Sequence, residues 1–191
     1  MKKTRAVLIS IKPEWCHLIV DGKKTIEIRK TKPKLETPFK CYIYCTAGDY
    51  EWKKDCWATA YQTPNGSIEN MSQMVIGEFV CDEIYDVDCD SVAPFITGIG
   101  YVEDKLCFGR NEFIEYGGLR MLYGWRISDL KIYDKPKELY EFYKNGMLSY
   151  DDWLYAIHRG NGGATSKYES YKNVFRLKRP PQSWCYVEET I

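Results

Sequence analysis

The chain has little histidine, no excess of either charge and no long apolar run. Its 191 residues hold only His17 and His158. Its cysteines stand at Cys16, Cys41, Cys45, Cys56, Cys81, Cys89, Cys107 and Cys185, without a CxxC pair. Structural zinc wants tighter, paired ligands, so no metal is expected. Cys16 and His17 point about 100° apart on a helix, which argues against a nucleophile–base pair. Basic and acidic residues number 27 each. Global charge therefore gives no footprint of a basic nucleic-acid-binding domain, and any such contact needs a local patch. No run is long enough to span a membrane, and no basic-then-apolar leader is seen. With thiols read as reduced and mostly buried, this predicts a cytoplasmic protein. The glycine cluster GNGG at 160–163 is read without a following helix start, which sets aside a phosphate loop. There is no internal repeat.

What is present suits one β-rich domain. The chain is 45% apolar and 15% aromatic, with 16 tyrosines and 6 tryptophans; these fill cores and also offer stacking surfaces. AVLISI at 6–11 reads as a buried strand. Pro13 opens a helix whose stripe is Trp15, Leu18 and Ile19, and Gly22 ends it. Strands are expected over 25–30, 39–46, 74–87 (bent at Gly77), 122–133 (with a turn near Ser128) and 183–188. In the 39–46 strand, Cys41, Ile43 and Cys45 share one face and Tyr42, Tyr44 and Thr46 the other. Residues 47–72 read as a long loop with short helical or hairpin pieces, and 110–116 as a short helix. Pro136 starts a helix over 137–144, a further helical turn falls at 150–157, and 158–173 is an exposed loop. This element order points to a small mixed barrel with helices covering its ends.

The stretch GKKTIEIRK, residues 22–30, raises the functional question. Successive strand residues face opposite ways, so Ile26 and Ile28 share one face while Thr25, Glu27 and Arg29 share the other. Either that polar face is solvated, with a Glu–Arg pair worth about 0.2–1 kcal/mol, or it lines a site. Ser10 and Lys12 on the first strand and Lys24 at the turn favour a site. Two adjacent strands would gather Ser10, Lys12, Lys24, Glu27 and Arg29 at one barrel mouth. Lys24 and Arg29 suit phosphate, and Glu27 suits an exocyclic amine or a ribose hydroxyl. If the site is catalytic, Lys24 orients the substrate or stabilises negative charge, and Glu27 acts as base. Tyr44, Trp125 and Trp184 are read either as core or as base-stacking surfaces, each stack worth about 1–3 kcal/mol. The lysines at 23, 24, 30, 32 and 34, with Arg29, form the one local basic patch.

LISIKPEWCHLIVDGKKTIEIRK, followed by PFKCYIYCT and VIGEFVCDEIYDV, resembles the ASCH domain, a branch of the PUA-like superfamily. The resemblance is clearest over 6–46, extends through 74–87 and GWRISDLKIYD, and closes with PPQSWCYVEE. It implies an α+β fold, a PUA-like mixed β-barrel with helices covering its ends. Residues 1–136 plus 181–191 would form that barrel, and 137–180 a helical elaboration inserted before the last strand. A cleft between barrel and helix would hold single-stranded RNA or a nucleotide, with no cofactor. The alternative is a hydrolase acting on RNA or a modified nucleoside, of the ribonuclease or acetylcytidine amidohydrolase type. In the amidohydrolase branch a lysine, a threonine and a later glutamate are catalytic. Lys24 matches the lysine, Glu27 stands where that threonine would be, and Glu112 and Glu115 are candidates for the glutamate. A carboxylate does not simply replace a hydroxyl nucleophile. The aromatic-rich residues 137–175 offer a surface for a protein partner.

Overall fold

The computed structural model describes residues 5–47, 59–118, 120–146, 150–157 and 164–189. Cys56, His158, the GNGG stretch and the middle of the expected 47–72 loop lie outside them. Strand β1 (Arg5–Ile11) is buried from Ala6 onward, as a run without a polar face requires. Helix α1 (Pro13–Val20) opens on its proline, whose missing N–H would have no partner there anyway. Gly22 follows at φ +69°, a left-handed conformation glycine adopts without a Cβ clash. Then come β2 (Ile26–Arg29) and β3 (Phe39–Cys45). A hairpin pairs β4 (Ala60–Gln62) with β5 (Ile68–Asn70).

The single strand expected over 74–87 is two, β6 (Met74–Cys81) and β7 (Ile84–Cys89). The Arg126 guanidinium clamps Asp82 at the break, and the two halves join different sheets. The expected bend is present: register shifts opposite Ile43 and Tyr44, beside Gly77. β8 (Pro94–Ile96), β9 (Gly100–Tyr101), α2 (Glu103–Leu106) and α3 (Arg110–Gly117) follow. β10 (Leu122–Arg126) and β11 (Ser128–Glu138) break near Ser128, as expected.

The expected helix over 137–144 does not form. β11 runs through Pro136 to Glu138, one 3-10 turn spans Leu139–Glu141, and the chain returns extended. β11 is an edge strand, where a proline need not break a ladder. Phe142 is pulled into the core, its ring 4.9 Å from that of Tyr42. Helix α4 (Tyr150–Ile157) matches expectation. Helix α5 (Ala164–Phe175) replaces most of the expected loop, so a helix does begin directly after GNGG. That spacing still fits no phosphate loop. Trp153 of α4 packs on Tyr168 and Tyr171 of α5. β12 (Trp184–Glu188) closes the chain of elements.

The strands pair as two five-stranded sheets, β11-β6-β3-β1-β12 and β2-β10-β7-β8-β9. The fold is mixed α+β, and among the described residues these two sheets and the separate β4–β5 hairpin do not join into one closed sheet. Alternation in β1 and β3 feeds two cores. Val7, Ile9, Cys41 and Ile43 join Cys16, Ile19 and Trp125. Ala6, Leu8, Tyr42 and Tyr44 join Phe142 and Leu177. A third core sets Ile26 and Ile28 against Val87, Leu106 and Phe113. Among the described residues, no helix is long and apolar enough to cross a membrane.

Candidate functional site

Strand β2 is buried on both faces. Its isoleucines enter the third core, and Glu27 and Arg29 turn to a cavity of about 620 Å³. The expectation that the first two strands are neighbours does not hold: β1 pairs with β3 and β12, and β2 with β10. The site is instead assembled between sheets. Arg29 Nη2 crosses to the Ser10 carbonyl at 2.7 Å and to Glu27 Oε1 at 3.0 Å. On the other side of the carboxylate, Lys24 Nζ lies 3.6 Å from Glu27 Oε2, an ion pair too long for a hydrogen bond. Glu27 Oε2 and Arg29 Nε are therefore buried without hydrogen-bond partners. Each such atom normally costs about 1–3 kcal/mol when left unmade.

Lys24 is delivered by the end of α1, where its N–H and that of Lys23 both reach the Leu18 carbonyl. Its ammonium donates to the Leu106 carbonyl and sits 5.1 Å from the Trp15 ring centroid and 5.9 Å from that of Phe108. Burial pushes its pKa below the ordinary lysine value, and the negative charge of Glu27 offsets part of that. Trp15, Phe108 and Tyr116 form a wall of edge-to-face rings, with centroids 5.5 and 6.1 Å apart.

Of the residues singled out from sequence, Ser10, Lys12, Lys24, Glu27 and Arg29 line this cavity. Ser10 Oγ donates to the Pro181 carbonyl at 2.7 Å, and Lys12 is an exposed rim residue 3.8 Å from Glu14. Thr25, Tyr44, Trp125 and Trp184 are not among the lining residues. Thr25 is exposed, its backbone bonded to Lys105 and Ile127. Tyr44 faces the second core, covered by Phe142 and Leu177. Trp125 is fully buried against Phe39 and Trp184. Trp184 donates to Thr31 Oγ1 at 3.1 Å. Glu112 and Glu115, both on α3, do line the cavity. Among the described residues, no cluster of His, Cys, Asp and Glu is placed to hold a metal.

Residues 9–85 match the family model of the ASCH domain. Over that stretch the chain is similar to the ASCH domain. No curated protein matches the sequence. Among solved structures, the ASCH protein of Zymomonas mobilis is similar at 18% identity, with a TM-score of 0.51, over 95% of this chain and 86% of that one. A point mutant of the same protein is similar at 17% identity, with a TM-score of 0.49, over 95% and 88%. At such identities the likeness speaks for the fold alone.

Within the ASCH match lie the floor residues Lys24, Glu27 and Arg29, with Trp15 from the wall. Phe108, Tyr116, Glu112, Gln182 and Ser183 lie beyond it. Sequence reasoning treated Trp15 as core stripe and missed Phe108 and Tyr116. Their signal was faint: one aromatic just before a short helix and one in its last turn, with Trp15 as the ring neighbour of Phe108 more than 90 positions away.

Proposed function

We propose that this ASCH-like domain binds RNA or a nucleotide by holding one nucleobase in the cavity floored by Lys24, Glu27 and Arg29. The observation that carries the reading is the pair of orphaned atoms on that floor. Glu27 Oε2 is an acceptor without a donor, and Arg29 Nε a donor without an acceptor. An exocyclic amine beside a ring nitrogen or carbonyl, as on cytosine or adenine, supplies one of each. The ring wall of Trp15, Phe108 and Tyr116 offers stacking surface, and about 620 Å³ suits a nucleoside-sized ligand. The aromatics Tyr44, Trp125 and Trp184 support the strands and stay outside the binding surface.

The experiment is calorimetric titration with the four nucleoside monophosphates, using wild type, Glu27→Gln and Arg29→Ala, each checked for folding. A hydrogen bond to a charged group is worth about 1.5–3 kcal/mol, so each variant is expected to lose roughly 10- to 150-fold in affinity for an amine-bearing base. Unchanged affinity in both folded variants sinks the reading.

One observation favours hydrolysis as a second reading. Glu112 and Glu115 share the cavity with Lys24, whose pKa burial lowers, so a carboxylate and a weakened ammonium face the same ligand. Incubation with short RNA and with acylated nucleosides tests it: products that vanish in Lys24→Met support hydrolysis, and their absence from wild type excludes it for these substrates.

A further inference from the structure

The cavity is lined by four cations and four carboxylates, so it has no net positive charge to hold a phosphate. Resting on the nucleobase reading above, we infer that the backbone of the ligand is held outside the cavity, on a ledge formed by residues 30–34, and that the ligand is a single-stranded oligonucleotide.

The ledge leaves the cavity directly, since Lys30 and Tyr116 belong to its lining. Lys30 Nζ lies 4.8 Å over the Tyr116 ring, and Lys32 Nζ 4.9 Å over the Tyr123 ring. The segment is anchored to β12: Lys34 N–H donates to Tyr186 Oη at 2.7 Å, and Trp184 Nε1 donates to Thr31 Oγ1 at 3.1 Å. Pro33 is buried between the exposed Lys32 and Lys34. Among the described residues, no carboxylate lies within 4.0 Å of Lys30, Lys32 or Lys34. Three exposed ammonium groups are thus set on a fixed segment without counter-charge, beside half-buried rings. Cations tracking a backbone next to aromatic faces are what single strands use. A mononucleotide in the cavity would leave Lys32 and Lys34 unused, whereas a strand running out of it reaches them with its flanking phosphates.

The test compares cytidine and adenosine with single-stranded RNA and DNA heptamers containing those bases, on wild type, Lys32→Ala/Lys34→Ala and the β11-edge control Lys135→Ala/Lys137→Ala. Wild type is expected to bind the RNA heptamer at least 10-fold more tightly than the nucleoside near 50 mM salt. The ledge variant is expected to lose about 10-fold on both heptamers. Its log K against log salt slope should shrink by about 1.4, from roughly 0.7 per phosphate on single strands. Its nucleoside affinity should stay unchanged, and the control should match wild type. The ledge is overturned if heptamer and nucleoside bind wild type equally, if the ledge variant keeps its slope, if the control loses as much, or if loss is confined to RNA without a change of slope. Nucleoside binding that persists through those results leaves the cavity reading standing. Ledge-dependent heptamer binding without nucleoside binding, indifferent to Glu27→Gln, supports the ledge and sinks the cavity instead.

Discussion

Replacing Glu27 with glutamine keeps the shape of the site and removes the one carboxylate between two buried cations. Lys24 is 3% exposed and Arg29 is 7% exposed, so neither charge falls back on bulk water. Breaking a buried ion pair from one side costs about 3–5 kcal/mol. Here the ammonium keeps the Leu106 carbonyl and the guanidinium keeps the Ser10 carbonyl, which spares part of that cost. The expected loss is therefore about 2–3 kcal/mol, or about 4–12 °C in unfolding midpoint for a chain of this length. The loss has a pH signature. The folded-state pKa of Lys24 already lies below the ordinary value of 10.5, and without Glu27 it falls further. Between folded and unfolded values the unfolded chain binds more protons, so stability rises with pH across that window. The deficit of Glu27→Gln against wild type should thus shrink as pH climbs from near 7 toward 10. Other groups that titrate there are common to both proteins and cancel in the difference. Lys24→Met/Glu27→Gln, which removes both charges, should recover part of the loss. Thermal unfolding followed by circular dichroism measures all three proteins. A midpoint within about 1 °C of wild type near pH 7, or a deficit flat with pH, would refute the argument that Glu27 compensates buried charge.

Two further predictions concern the frame. A Cβ on Gly77 would lie 2.5 Å from the Lys131 carbonyl oxygen and 3.1 Å from Ile132 Cα, so Gly77→Ala must part β6 from β11. It should lower stability by about 1–3 kcal/mol in urea unfolding, and a neutral result would mean the bulge relaxes freely. The Arg126 guanidinium, with Ser128, holds the Asp82 carboxyl well below the usual carboxylate range. Its contribution is full at neutral pH and fades as pH falls below about 3.8 toward that depressed value. Asp82→Asn should therefore unfold earlier than wild type near pH 7, with the gap narrowing in acid. A gap that widens in acid would reverse the assignment.

Local patterning made several elements legible. Pro13 and Gly22 bound α1 because one lacks an N–H and the other lacks a Cβ. The alternation in FKCYIYC placed Cys41 and Ile43 opposite Tyr42 and Tyr44, and two separate cores receive them. The same patterning misled over 137–144, where Leu139, Phe142 and Tyr143 fall at helical spacing. There the edge of a sheet and the pocket beside Tyr42 outweigh an isolated helix turn, which is marginal at that length. Tyr168, Tyr171 and Phe175 also stand at helical spacing, but between them lie polar residues, and only packing on Trp153 makes a helix of the expected loop.

By itself the sequence determined that Glu27 and Arg29 share a strand face with Lys24 just before it, because strand alternation acts between neighbouring residues. Only the tertiary structure decided that this face is buried, that β10 and not β1 lies beside it, and that Phe108, Tyr116, Gln182 and Ser183 close the cavity. Strand pairing and burial are set by contacts between residues up to about 180 positions apart, such as Arg5 and Glu188 across β1 and β12, and no local preference encodes which distant segment arrives.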